Sequence, residues 1–380
     1  MKVLYFCYLK SDPKLWPTLG DMRMAVEMSR ALGNNYGIIL AGDFRSFTAD
    51  EAYELCSSYN AIDYLDLGEY CDSARYISNS AKSLKNIIDN YDLIHVHTSK
   101  LGVMSTIRRL YPNIPMVVSY HSPPETSEVG HFYKDDLLKF LNQSDFRFVC
   151  NSKSHKQRMI NTLNVPVHTV TSLTYAYNAI TDIYNVDNTT KIYNTGTIGR
   201  ITSVKRMLDL VKYFKYLYER TGVQSYYVGD IGPYEKSPDA IKYYEDCKYY
   251  LESPAIDWIK FATPIEIGHI VKQAYTYTTF SQVETFGLTL LEAGLSGIPS
   301  VVFDVAGHGE IIDTGCNGYK LSIPDKKRYK ISDLHGDFYQ LDTMARELDP
   351  VKVREYTKNK FNMDKLYKDF DRIYKEVLNG

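Results

Sequence analysis

The chain has 380 residues, 44% of them hydrophobic and 24% charged, with a formal charge of −2. That length argues for two domains of ordinary size, and the balance is that of a globular protein. The near-neutral charge leaves no global attraction for nucleic acid or anionic lipid, and no apolar run is long enough to span a bilayer.

The start, residues 1–8, is basic and apolar like a signal peptide, but Lys10, Asp12 and Lys14 interrupt it and no small-residue cleavage site follows. A buried first strand and a cytoplasmic protein are expected. Further strands are expected at 36–41, 93–97, 116–120, 146–151 and 167–172, with the first at 2–8. Helices fall between them, such as 22–32, where Met24, Met28, Ala31 and Leu32 form an apolar stripe. Residues 185–190 are polar and read as a linker. The alternation then restarts, with strands at 192–198, 225–228, 258–261, 275–280, 300–305 and 318–321. Helices are expected at 207–218, 240–251, 264–273 and 288–295, and a last one at 363–378. This is α/β architecture in two tandem domains, in which ligands bind beyond the strand ends. The six cysteines form no C-x-x-C pair and are expected to be reduced and structural.

Chemistry-bearing residues concentrate in the second half. Glu284 lies in a loop and Glu292 eight residues later inside the following helix, so they reach different parts of one extended ligand. Between them the amides of Phe286, Gly287, Leu288 and Thr289 make a helix start suited to phosphate. Gly297 and Pro299 end that helix. Upstream, a strand ends in Gly199-Arg200 and Lys205 follows, a fork and a point charge for phosphate oxygens. Gly307-His308-Gly309-Glu310 is a glycine-rich turn, and Gly229-Asp230-Ile231-Gly232-Pro233 another. In the first half, Gly20 precedes a helix, His95 and His97 alternate onto one side of a strand, and His121 ends the next. Two strand histidines could mimic a metal site, but no third ligand accompanies them, and no metal is expected.

These segments resemble the retaining GT-B glycosyltransferases that carry the E-x7-E motif, the group 1 glycosyl transferases. The likeness lies in Glu284 followed by Phe286-Gly287-Leu288, in Glu292-Ala293 before Gly297-Ile298-Pro299, and in Gly199-Arg200 with Lys205. Asn178-Ala179-Ile180-Thr181 resembles the family's Asn-Gly-Ile-Asp, with two residues replaced. The resemblance implies two Rossmann-like domains facing each other across a cleft: 1–185 on the acceptor side, 186–362 holding the nucleotide, and a helix at 363–380 crossing back to the first. It places Glu284 beside the transferred sugar, Glu292 on the ribose, and Arg200 and Lys205 on the donor diphosphate. It sets Gly307, His308 and Gly309 near the sugar, with Glu310 at a helix start. Gly20 becomes a donor contact and His121 a group on the sugar or acceptor side.

The implied reaction moves a sugar from a nucleotide-diphosphate donor, UDP- or GDP-linked, to an acceptor hydroxyl with retention and without metal or other cofactor. A binding protein of the same fold, or an epimerase or hydrolase of sugar nucleotides, are the alternatives. The acceptor stays open among glycans, lipid-linked sugars, proteins and hydroxylated DNA bases. Arg108, Arg109 and the lysines from Lys134 to Lys156 supply cations for an anionic acceptor or a peripheral membrane contact, or else a solvated helix face.

Overall fold

The structure is a computed structural model, and it describes residues 1–8, 24, 28, 36–42, 48–58, 61–66, 81–98, 101–124, 134–166, 171–180, 184–232, 237–323 and 330–380. The chain divides into two compact units, Met1–Ile180 with Met363–Gly380, and Thr181–Asn362.

In the first unit the apolar runs form strands β1 (Val3–Tyr8), β2 (Tyr36–Gly42), β3 (Asp63–Asp66), β4 (Leu93–Thr98), β5 (Met116–Tyr120), β6 (Phe146–Cys150) and β7 (Leu173–Tyr175). They make one parallel sheet in the order β3-β2-β1-β4-β5-β6-β7. Every residue of β4 and β5 is buried, as expected for strands covered on both faces. Between them lie helices α1 (Ala49–Ser58), α2 (Ala81–Ile88), α3 (Leu101–Leu110), α4 (Lys134–Leu141) and α5 (Lys153–Leu163). The Ser152 side chain caps α5 and Asn164, at φ 54°, ends it.

Two expectations in this unit are corrected. Of the strand expected at 167–172, residues 167–170 lie outside the described residues, Thr171 and Ser172 occupy a turn, and β7 begins at Leu173. Arg108 is no surface cation, since it is 3% exposed and donates to Asp145, Gln143 and the Ile114 carbonyl. Arg109 pairs with Asp136. Of the helix expected at 22–32 only Met24 and Met28 are described, both helical and buried.

The second unit repeats the plan with β8 (Tyr193–Ile198), β9 (Ser225–Val228), β10 (Ile256–Ile259), β11 (Ala274–Thr279), β12 (Ser300–Phe303) and β13 (Gly318–Leu321). Its parallel order is β10-β9-β8-β11-β12-β13, so the direction of winding reverses between β8 and β11. Helices α6 (Met207–Thr221), α7 (Pro238–Leu251), α8 (Pro264–Lys272), α9 (Leu288–Leu295), α10 (Ala306–Ile311), α11 (His335–Arg346) and α12 (Pro350–Lys360) accompany it. A capping box between Thr263 and Glu266, with Pro264 at the first turn, fixes where α8 starts. Helix α9 packs on α12, and Gly294 lets Thr357 come close.

The last helix, α13 (Met363–Leu378), belongs to the first unit. Leu366, Phe370, Ile373, Tyr374 and Val377 repeat at helical spacing and are buried, and α13 contacts β5 and β6. The Tyr374 hydroxyl meets the Tyr5 hydroxyl at 2.7 Å and His95 Nδ1 at 2.7 Å. Cys7, Cys56, Cys150 and Cys247 are buried free thiols and Cys316 is an exposed one. Among the described residues no helix is long and apolar enough to cross a membrane.

Candidate active site

In a doubly wound sheet the strand ends diverge where the winding reverses, which leaves a crevice for a ligand. In the second unit that point lies beyond the ends of β8 and β11. Strand β8 delivers Gly199 and Arg200, and a short 3-10 turn, Ser203–Lys205, follows. Two backbone bonds anchor this loop: Ile201 donates to the Asp230 carbonyl at 3.0 Å and Gln282 donates to the Val204 carbonyl at 3.0 Å. The second ties it to the loop leaving β11.

That loop carries Glu284. The Lys205 ammonium stands 3.1 Å from Glu284 Oε1, and Ser281 Oγ donates to the same oxygen at 3.1 Å. Burial pushes the Glu284 carboxyl up, but Lys205 foremost, then His308 and Ser281, hold it below the usual glutamate range. The site therefore keeps a fixed carboxylate at neutral pH. Arg200 is exposed and, among the described residues, forms no salt bridge, which leaves a guanidinium open to solvent.

Helix α9 begins just beyond. Gly287 precedes it at φ 125° without any side-chain cap, so the first amides of α9 are not capped by a side chain. A side chain at Gly287 would be strained, and its Cβ would lie 2.9 Å from His308 Cδ2. Phe286 is buried edge-on against Phe361, with ring centroids 5.6 Å apart. Glu292, inside α9, is 4% exposed and accepts from the Tyr184 hydroxyl at 3.1 Å.

Helix α10 closes the other side. Gly307 donates its amide to the Glu284 carbonyl at 3.2 Å, and a Cβ there would meet Phe286 Cα at 2.4 Å. Only a residue without a side chain lets the two backbones touch. His308 is buried, and its Nδ1 has no hydrogen-bond partner among the described residues. Burial lowers its pKa to about 4 against the pull of Glu284, so its imidazole is neutral at pH 7. Gly309 packs on Asp304, which pairs with Lys320 at 3.6 Å. The helix was expected to start at Glu310; it starts at Ala306, so Glu310 lies in its last turn.

Of the residues singled out in sequence, Glu284, Lys205, Phe286, Gly287, Leu288, Gly307, His308 and Gly309 thus gather on three adjoining segments, with Arg200 at the end of the neighbouring strand. Glu292 sits deeper on α9. His121 belongs to the other unit: it follows β5, and its Nε2 is 3.4 Å from His97 Nδ1, whose ring stacks on it at 5.6 Å. His95 is bound by Tyr374 and by Ser119 Oγ at 2.8 Å, a packed hydrogen-bonding role. Gly20 and Pro233 lie outside the described residues. Among those residues no group of three metal-ligating side chains comes together.

Sequence reasoning passed over Ser281 and Ala306. Ser281 holds Glu284, and a serine three residues before the glutamate in a strand-end loop was the available signal. Ala306 has φ 40°, a conformation that glycine favours, and nothing in its residue type signals that.

Residues 185–330 match the family described as glycosyl transferases group 1, and residues 23–172 match glycosyltransferase family 4. An uncharacterized glycosyltransferase of Methanocaldococcus jannaschii is 25% identical over 314 residues, 77% of this chain and 75% of that one. Among solved structures, Anabaena HepE in complex with UDP and glucose superposes with a TM-score of 0.70 at 16% identity, covering 98% of each chain. The pneumococcal O-GlcNAc transferase GtfA in complex with UDP and GlcNAc gives 0.71 at 13% identity, covering 100% of this chain and 99% of that one. These two likenesses establish a shared GT-B fold.

Proposed function

Because the chain belongs to the group 1 glycosyl transferases and is a glycosyltransferase of GT-B fold, we propose that it transfers a sugar from a UDP-linked donor to an acceptor hydroxyl with retention. The observation that carries this reading is the Lys205–Glu284 pair beside the start of α9, at the point where the sheet reverses, with Arg200 at the end of β8. UDP is the proposed nucleotide because HepE and GtfA are both seen with it.

Departure of a nucleoside diphosphate concentrates negative charge on its phosphate oxygens. Arg200 and Lys205 supply fixed positive charge, and the first amides of α9 supply oriented dipoles. Lys205 leaves Glu284 for the diphosphate when the donor arrives, which frees the carboxylate to accept hydrogen bonds from the sugar hydroxyls. Glu292 binds the ribose hydroxyls, in exchange for or alongside the Tyr184 hydroxyl. Neutral His308 and the backbone of Gly307 and Gly309 line the sugar. The bond from the anomeric carbon to the diphosphate oxygen breaks as the acceptor oxygen bonds to the same face, and the acceptor proton passes to the departing phosphate. Charge stabilisation rests on the protein's own cations, so the proposal requires no metal.

The test is product analysis with UDP-glucose and UDP-N-acetylglucosamine against a panel of hydroxylated acceptors. The expected result is UDP release matched by an α-configured glycoside in the wild type, reduced by at least about a hundredfold in Arg200→Ala/Lys205→Ala. Near-complete activity in that double variant would refute the assignment, and free sugar as the main product would point to hydrolysis instead.

A further inference from the structure

We propose that the second unit carries a separate binding site for a phosphate monoester, in a depression of about 420 Å³ formed by α6, the loop after β11 and the start of α11. Its lining includes Arg206, Lys212, Lys330, Asp209, Ser332 and His335, with Gln282 and Ile331 completing the wall. Three fixed cations face one carboxylate among these residues. Arg206 and Lys212 form no salt bridge among the described residues, although Asp209, one helical turn from each, attracts both and Lys212 stands 5.8 Å from the Tyr250 ring centroid. An excess of positive charge around a concavity is the arrangement that a doubly charged phosphate neutralises. The Ser332 hydroxyl and Gln282 amide add neutral hydrogen-bonding capacity, and Ile331 with the His335 ring offers an apolar surface for a small organic body.

The backbone also sets Arg206 apart. Arg206 has φ 50° and ψ 41°, between the 3-10 turn and α6, a left-handed conformation that side-chain-bearing residues rarely adopt. Its side chain caps nothing there, and its guanidinium lies 5.9 Å from the Phe303 ring centroid, at the depression. Glycine adopts this conformation without strain, so the residue can be exchanged there with the backbone kept. The site shares backbone with the donor site, because Arg206 follows Lys205 and Gln282 follows Ser281, but it uses none of the side chains assigned there.

Calorimetric titration at constant ionic strength with inorganic phosphate, and then glycerol 3-phosphate, tests the proposal, first without UDP and then at saturating UDP. The first titration stands even where UDP fails to bind, so this site and the donor site are judged separately. The expected result is phosphate binding that survives UDP and weakens roughly tenfold in Arg206→Gly and in Lys212→Gln, with UDP affinity unchanged in both. Tighter binding of glycerol 3-phosphate would mark an ester as the ligand, and equal binding would mark free phosphate. Arg206→Gly removes backbone strain and should stay folded, and Lys212→Gln is an independent check. Phosphate displaced by UDP, bound equally by wild type and both variants, or not bound at millimolar concentration would overturn the proposal.

Discussion

Gly307→Ala isolates the contact on which the site depends. The added methyl would lie 2.4 Å from Phe286 Cα and 2.4 Å from Phe286 O, against 3.4–4 Å for an ordinary contact. Both obstacles are backbone, so relief requires α10 to withdraw from the loop before α9 by about 1 Å, which breaks the bond from the Gly307 amide to the Glu284 carbonyl. Overpacking of this kind costs about 1–3 kcal/mol. For a unit of this size that is a fall in Tm of roughly 5 °C. Gly309→Ala is the matched control. Its methyl would meet Asp304 Oδ1, a side-chain atom that can rotate away at the loss of an exposed pair with Lys320, for roughly 0–1 kcal/mol. Differential scanning calorimetry of both variants, with UDP titrated into each, measures the difference. Gly307→Ala as stable as Gly309→Ala, with UDP affinity intact, would refute the reasoning.

Tyr374→Phe should cost about 2–4 kcal/mol in urea denaturation, because it leaves the buried Tyr5 hydroxyl and His95 Nδ1 without the group that joins them. A loss below about 0.5 kcal/mol would show that the Tyr5 hydroxyl and His95 Nδ1 find other partners. Acid should destabilise the protein through its buried histidines. Burial lowers His308 to about 4 and His155 to about 3, whereas the unfolded chain titrates near 6.5. The unfolded state thus binds more protons below that value, so stability is fully present above pH ~6.5 and is lost as pH falls toward the folded pKa values. At pH 5 each histidine contributes a loss of about 2 kcal/mol, readable as a lower urea midpoint than at pH 7.5; equal midpoints would contradict the assignment.

Much of this architecture was legible because parallel strands buried on both faces read as continuous β-branched or aromatic runs. Met116–Tyr120 and Ser225–Val228 fall where those runs fall. Helix α9 was delimited by Gly287 and by Gly297-Ile298-Pro299, and α13 by a stretch rich in Tyr, Phe, Leu and Lys. What the pattern did not show were elements with weak internal signals. Strand β3 is four residues long with aspartate at both ends, and α10 reads as a glycine-rich turn because its helix is held by tertiary contacts at Gly307. Helix α12 is polar on most faces and was passed over, although Asp349 caps it and Pro350 opens it. In the site, charge and spacing pointed to Lys205 and Glu284. Their direct pairing, the support from Ser281 and the burial of Glu292 against Tyr184 depend on how separate loops meet, which no local pattern encodes.

The donor site proposed for the second unit takes a nucleotide sugar through Arg200, Lys205, the start of α9 and Glu292. Calorimetric titration of UDP into the wild type, Arg200→Ala and Glu292→Ala tests it most directly. One site per chain is expected, weakened in each variant by about 1.5–3 kcal/mol, the range for hydrogen bonds to charged groups. Absence of binding at millimolar UDP in the wild type, or equal affinity in all three proteins, would contradict it.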